Sequence, residues 1–134
     1  MTALDTNLLI YSCDKADPDR QVRALEIISS TTDAVLLWQV ACEFVAASRK
    51  LNAQGFTPLH AWDRPTEYLA LFPLILPARA VFERARLLHL DDGWSFWDAM
   101  IVAACLECGV TRLYSEDLPG RAVPGPLEII NPFS

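Results

Sequence analysis

The sequence predicts an α/β fold, a three-layer α/β/α sandwich around a mainly parallel five-stranded sheet. Three observations carry this. Short apolar runs of strand length alternate with segments of helical periodicity along the chain, the pattern that builds parallel sheets with helices on both faces. The 134 residues suit one domain, and with 52% hydrophobic and 21% charged residues they can close a core. No internal repeat, low-complexity tract or linker divides the sequence, so residues 1–134 read as a single domain.

Each element has its own signal. Thr2 to Asp5 reads as the first strand, and the apolar run Leu8 to Tyr11 follows a turn at Asp5-Thr6-Asn7. Asp17 as N-cap and Pro18 at the first helical position open a helix in which Val22, Leu25 and Ile28 repeat on one face. Asp33 to Trp38 is short and apolar enough for a buried strand. Gln39 to Gln54 follows as a helix, with Val40, Phe44, Ala47 and Leu51 on one face and Gly55 as its stop. Thr57-Pro58 caps another helical piece, which Pro65 interrupts or restarts.

Phe72 to Leu76 reads as the third strand, near an edge because Pro73 cannot donate to a ladder. A helix from about Pro77 to Leu90 turns Val81, Ala85 and Leu88 inward and Glu83, Arg84 and Arg86 outward. Ser95 opens a helix running to Gly109 that is apolar nearly all round, and so central and covered. Arg112 to Tyr114 and Leu127 to Ile130 read as the last two strands, separated by the Pro/Gly loop from Pro119 to Pro126. With right-handed crossovers, ligands bind beyond the carboxyl ends of such strands.

The charge balance excludes some functions. Lys plus Arg number 11 against 17 Asp plus Glu, a formal charge of −6, the wrong sign for a general nucleic-acid coat protein. The high apolar fraction excludes disorder. No apolar run approaches the roughly 20 residues that span a bilayer, and the start Met-Thr-Ala-Leu-Asp does not read as a signal peptide. A cytoplasmic protein without membrane association is the expectation. Cys13, Cys42, Cys105 and Cys108 are irregularly spaced. Cys105 and Cys108 lack a second pair to complete a zinc site and read as small apolar side chains.

The informative acids are Asp5, Glu43, Asp98 and Asp117. Asp5 ends the first strand, Glu43 falls in the opening turns of the helix after the second, and Asp117 comes three residues after Tyr114. Connectivity puts these three at the carboxyl edge of the sheet. Asp98, in the first turn of the helix feeding the fourth strand, joins them because that helix must start at the same edge. Two carboxylates about 4 Å apart repel by about 4 kcal/mol at an effective dielectric of about 20. Four together either take up protons or bind a cation, and hard oxygen donors suit Mg²⁺ or Mn²⁺. Each acid also has a plainer role: Asp98 in a capping box with Ser95, Glu43 at a helix dipole, Asp117 opening a turn before Pro119, Asp5 in an Asx turn. Capping is the better single reading of Asp98.

The stretches Leu4-Asp5-Thr6-Asn7-Leu8-Leu9-Ile10-Tyr11, Gln39-Val40-Ala41-Cys42-Glu43-Phe44, Trp97-Asp98-Ala99-Met100-Ile101-Val102-Ala103-Ala104 and Tyr114-Ser115-Glu116-Asp117-Leu118 resemble PIN domains. More narrowly they resemble the VapC-type toxins of bacterial type II toxin–antitoxin pairs. The resemblance runs in order over essentially the whole chain. It implies a PIN-like nuclease domain and a Mg²⁺- or Mn²⁺-dependent endoribonuclease. Asp5, Glu43, Asp98 and Asp117 would be its catalytic and metal-binding acids, with Asn7 and Ser115 as polar groups beside them. It also implies an RNA substrate, a cognate antitoxin and a homodimer. Ser115 stands where many members have Thr and keeps the hydroxyl, while Leu118-Pro119-Gly120 stands where many have Phe. Glu116 is an alternative fourth ligand, although strand alternation argues against both it and Asp117 facing one site.

Two other functions compete. One is a degenerate PIN-like module that binds RNA or a protein without cutting. The other is a metal-dependent phosphatase, which Asp5-Thr6-Asn7 disfavours for want of a second Asp. The small cationic clusters, Arg20 with Arg23, Arg49 with Lys50, and Arg79 with Arg84 and Arg86, read first as solvated helix faces. Trp62 and Trp94 are candidates for partial exposure.

Overall fold

The computed structural model describes residues 1–118, 123 and 125–133. Most of the expected Pro/Gly loop from Pro119 to Pro126 therefore lies outside the described residues. The elements are β1 (Thr2–Leu4), α1 (Thr6–Tyr11), α2 (Pro18–Ser30), β2 (Ala34–Leu37), α3 (Trp38–Ala47), a 3-10 helix (Ser48–Gln54), α4 (Pro58–Leu71), β3 (Leu74–Ile75), α5 (Arg79–Leu90), α6 (Phe96–Glu107), β4 (Arg112–Tyr114) and β5 (Glu128–Ile130).

The strands pair in the order β3-β2-β1-β4-β5, and every pairing is parallel. β1 is central: Thr2 pairs with Ala34 on one side and Arg112 on the other, and Leu4 pairs with Tyr114. Chain order reverses beside β1. The crossovers to β2 and β3 step one way, and the crossover from β3 to β4 steps back over them. Right-handed crossovers therefore place α1 to α4 on one face and α5 with α6 on the other, giving the expected α/β/α layers. β1 and β2 are buried throughout. Leu4, Leu8, Ile10, Leu37, Val40, Phe44, Leu88, Val102 and Leu113 belong to one continuous core.

Local signals explain most boundaries. Asp17 caps α2 by accepting from the Arg20 N–H, with Pro18 following. Thr57 and His60 form a reciprocal capping box at the start of α4. The third strand lies at the sheet edge, as Pro73 required; Pro73 supplies a carbonyl to the Leu36 N–H at 2.9 Å and need donate nothing. The 3-10 helix ends at Gly55, whose φ of +83° is left-handed. Val81, Ala85 and Leu88 are buried on α5, as their spacing indicated.

Several expectations are corrected. The repeat of Val22 and Leu25 does not mark the inner face of α2. Both are about half exposed, while Ala24 and Ile27 are buried, because the face of this peripheral helix that meets the core runs through Ala24 and Ile27. The helix expected over 39–54 begins at Trp38 directly from β2 and tightens to 3-10 geometry after Ala47. Pro65 does not break α4, which runs through it with the ring buried. α6 buries Ala99, Ile101, Val102, Ala103 and Cys105. Its first residues, Phe96 and Trp97, are nevertheless exposed. Trp62 is exposed, but Trp94 is only 1% exposed and part of the core. All four cysteines are free thiols, with Cys105 buried and Cys42 exposed.

Phe44 connects this frame to the acid one residue before it. Its ring is fully buried and meets Phe56 and Tyr68 edge-on, at centroid distances of 6.3 and 6.4 Å. Phe44→Ala is expected to destabilise the fold by roughly 3–5 kcal/mol through the cavity it leaves. Urea unfolding checks this; a cost within experimental error would show that α3 is not anchored through this ring.

Candidate functional site

The parallel sheet delivers β1 and β4 side by side at its carboxyl edge, where chain order reverses and ligand crevices form in such folds. Leu4 is the last residue of β1, and the next, Asp5, is the N-cap of α1. The Asp5 N–H extends the ladder by donating to the Tyr114 carbonyl at 2.9 Å. Its side chain is only 7% exposed. One carboxylate oxygen accepts from the Thr6 N–H at 2.7 Å, and the other accepts from the Ser115 hydroxyl, also at 2.7 Å. The plain capping role and a site role thus coincide in one residue.

Burial pushes the Asp5 carboxyl up from the ordinary 3.8 to about 6, against the lowering effect of its bonds to Ser115 and Thr6. The charges of Glu43 and Asp117 raise it further. Glu43 and Asp117 therefore both act on Asp5 at this edge. Glu43 is held closely: the Thr6 hydroxyl donates to its Oε2 at 2.7 Å, and the Gln39 amide donates to its Oε1 at 2.6 Å. Glu43 is the sixth residue of α3, and the first turn of that helix carries no acid. The dipole explanation of Glu43 therefore fails, because that effect fades within the first turn.

Asp98 stands in the first turn of α6. Ser95 caps that helix without a side-chain hydrogen bond, so the expected Ser95–Asp98 capping box is not formed. Asp98 is partly buried and is tied to the other acids only indirectly. Its neighbour Trp97 offers a carbonyl that accepts from the same Gln39 amide at 3.2 Å. Asp117 is exposed just beyond β4. Glu116 faces elsewhere, accepting from the Tyr11 hydroxyl at 2.6 Å and pairing with Arg20 at 3.1 Å. Both its oxygens are engaged by these partners. Asn7 has both amide atoms buried without a hydrogen-bond partner.

Thr6 and Gln39 were missed in the sequence. Gln39 precedes Glu43 by four residues, one helical turn, and that spacing is a readable signal. Thr6 had none beyond adjacency to Asp5. The donor set is hard oxygen, which fits Mg²⁺ or Mn²⁺. No three His, Cys, Asp or Glu side chains among the described residues stand close enough to hold an ion alone. Mg²⁺ needs no such cage, since it is commonly held by one or two carboxylates with water and substrate phosphate completing the octahedron. The unpartnered Asn7 amide is consistent with a further polar occupant.

Beside the acids runs an apolar groove of about 310 Å³, lined by Trp38, Cys42, Leu76, Pro77, Trp97 and Met100 among others. Trp38 is 49% and Trp97 63% exposed. No helix among the described residues is long and apolar enough to cross a membrane.

Fold and edge together define an α/β/α domain that carries the buried Asp5 and its acidic neighbours at the carboxyl edge of the sheet. No family model and no curated protein matches the chain in sequence. A solved chain described as part of a toxin–antitoxin complex from Klebsiella pneumoniae shares the fold, with a TM-score of 0.70 at 18% identity, covering 98% of each chain. At that identity the likeness establishes a common fold along the whole chain.

The raised Asp5 value makes stability depend on pH. The folded form binds the Asp5 proton more tightly than the unfolded chain does. The resulting stabilisation is complete below the unfolded value of 3.8 and is lost as pH rises through about 6. The full swing is about 3 kcal/mol. Asp5→Asn is expected to flatten this part of the stability–pH curve, measured by urea unfolding between pH 4 and 7.5. A variant curve parallel to the parent's would show that Asp5 is not a strained carboxylate.

Proposed function

We propose that this protein is a metal-dependent endoribonuclease of the PIN-domain type, the toxin of a type II toxin–antitoxin pair. The observation that carries the reading is the buried Asp5 carboxylate, raised toward neutrality beside Glu43 and Asp117 at the carboxyl edge. A buried acid among other acids is stabilised by a cation or a proton, and the first suits phosphodiester chemistry. Asp5 and Glu43 would hold Mg²⁺ or Mn²⁺, with Asp98 and Asp117 nearer the open rim. Such an ion lowers the pKa of a bound water and stabilises charge on the leaving oxygen.

The chain's own groups then have defined tasks. Ser115 and the Thr6 N–H aim one Asp5 oxygen each, and the Thr6 hydroxyl aims Glu43. Asn7, with its amide buried and unpartnered, could be satisfied by a buried water beside the acids. The shared fold with a chain of a toxin–antitoxin complex supports an antitoxin partner. The apolar groove beside the acids is suited to an antitoxin segment or to a second copy in a homodimer. On this reading the protein acts in the cytoplasm.

One observation favours a second reading, a module that binds RNA or protein without cutting: no three potential ligands converge among the described residues. A single experiment separates the two. Purified protein is incubated with structured RNAs in millimolar Mg²⁺ or Mn²⁺, and in parallel with chelator. Metal-dependent cleavage is expected, and Asp5→Asn should lower it by more than about 100-fold, since losing even an indirect partner of a metal ligand costs about 10–100-fold. Equal cleavage by the folded variant, or cleavage unaffected by chelator, would rule out the metal-site mechanism. RNA binding without cleavage at any metal concentration would establish the second reading.

A further inference from the structure

We propose that Gln39 is a positioning residue that locks Glu43 to the first turn of α6, so that the acids of α3 and α6 are presented as one set. This inference goes beyond the proposed nuclease reading and rests on it for its functional consequence. The geometry is specific. A Gln side-chain nitrogen has two hydrogens to donate, and both are used: one toward Glu43 Oε1 at 2.6 Å and one toward the Trp97 carbonyl at 3.2 Å. The other Glu43 oxygen accepts from Thr6. Each oxygen of Glu43 is thus fixed by one donor and keeps lone-pair capacity free.

The lock spans two layers. α3 and α6 belong to opposite faces of the sheet, and both begin at its carboxyl edge. Among the described residues, the Gln39–Trp97 bond is the only side-chain hydrogen bond joining them. α6 has no side-chain cap at Ser95, and Gln39 ties its first turn at a carbonyl rather than at the uncapped N–H groups. Asp98 is the next residue after Trp97. Without Gln39, Glu43 keeps a single donor, and the turn carrying Asp98 loses its tie to α3.

The test uses the full chain with Gln39→Ala and Gln39→Glu. The second keeps shape and length but cannot donate at neutral pH. Two measurements are made: amide hydrogen exchange at residues 99–101, and Mn²⁺ affinity from the free-ion paramagnetic resonance signal. Both variants are expected to exchange on the order of tenfold faster at 99–101 than the parent, with the rest of α6 unchanged. Gln39→Ala should bind Mn²⁺ about tenfold more weakly, while Gln39→Glu, which adds a carboxylate beside Glu43, is read by its exchange alone.

Unchanged exchange in both variants overturns the lock, whatever the metal does. Faster exchange with parental Mn²⁺ affinity in Gln39→Ala overturns its role in the acidic site, and parental exchange in Gln39→Glu overturns the need for a donor at that position. If the parent binds Mn²⁺ no better than Asp5→Asn does, the metal reading itself fails and this inference falls with it. The separate Asp5→Asn arm distinguishes that outcome from a failure of Gln39 alone.

Discussion

Parallel pairing around β1 is the constraint on which the rest of the structure depends. β1 has a parallel neighbour on each side, β2 and β4, so every chain segment leaving these strands emerges at one edge. A connection between parallel strands must return across the sheet, and it does so as helix. The starts of α1 and α3 are thereby fixed beside the end of β4. Asp5, Glu43 and Asp117 come from positions far apart in sequence, yet none needs a long loop to reach the others. Asp5 leaves β1 directly as a helix cap and Glu43 sits in a helix with no linker from β2. Short, stiff connections define where the charges stand.

That convergence is electrostatically unfavourable, and the neighbouring structure limits the damage by removing one acid. Glu116, next to Asp117, is engaged by Arg20 and the Tyr11 hydroxyl. Arg20 also lies over the Tyr11 ring, 5.4 Å from its centroid, and Tyr11 packs edge-on against Phe133. The same cluster joins α1, α2, the segment after β4 and the C-terminal residues. It keeps Glu116 from adding a further negative charge beside Asp5. What remains at the edge is an acid whose ionisation is opposed by burial more than by its neighbours' charge, since burial is the larger cause of the Asp5 shift. A group raised by burial responds strongly to any cation that enters, because a low-dielectric setting strengthens attraction as well as repulsion.

The sequence made the layer order, the caps at Asp17 and Thr57, the edge placement of the Pro73 strand and the acids' strand polarity legible. These follow from local chemistry: a missing N–H, a capping side chain, a period of two or 3.6. What was not legible depends on which neighbours arrive from elsewhere. Val22 and Leu25 fit a helical stripe but lie on a peripheral helix with little to cover them. Trp94 follows an Asp-Asp-Gly turn that suggests solvent, yet the turn folds its indole into the core. Ser95 and Asp98 have capping-box spacing, but spacing alone does not orient the serine. Gln39 shows the reverse case, where a readable one-turn spacing to Glu43 was passed over because an amide carries no charge.

The distribution of cations constrains how a polyanion could approach this edge. Among the described residues, Arg20, Arg23, Arg64, Arg79 and Arg84 are already committed to acids. Among the described residues, Lys15, Arg49, Lys50, Arg86 and Arg112 form no ion pair, and they are spread over several elements rather than gathered on one face. A surface of this kind offers phosphates few contacts, so counterion release contributes little to binding. The formal charge of −6 adds long-range repulsion. If the substrate is RNA, as proposed, attraction for it would arise at the acidic edge itself, where a bound divalent ion would reverse the local sign. On the proposed reading, metal and substrate are therefore coupled ligands, each completing what the other lacks: the carboxylates supply too few donors to enclose the ion, and the protein surface supplies too few cations to hold the phosphate.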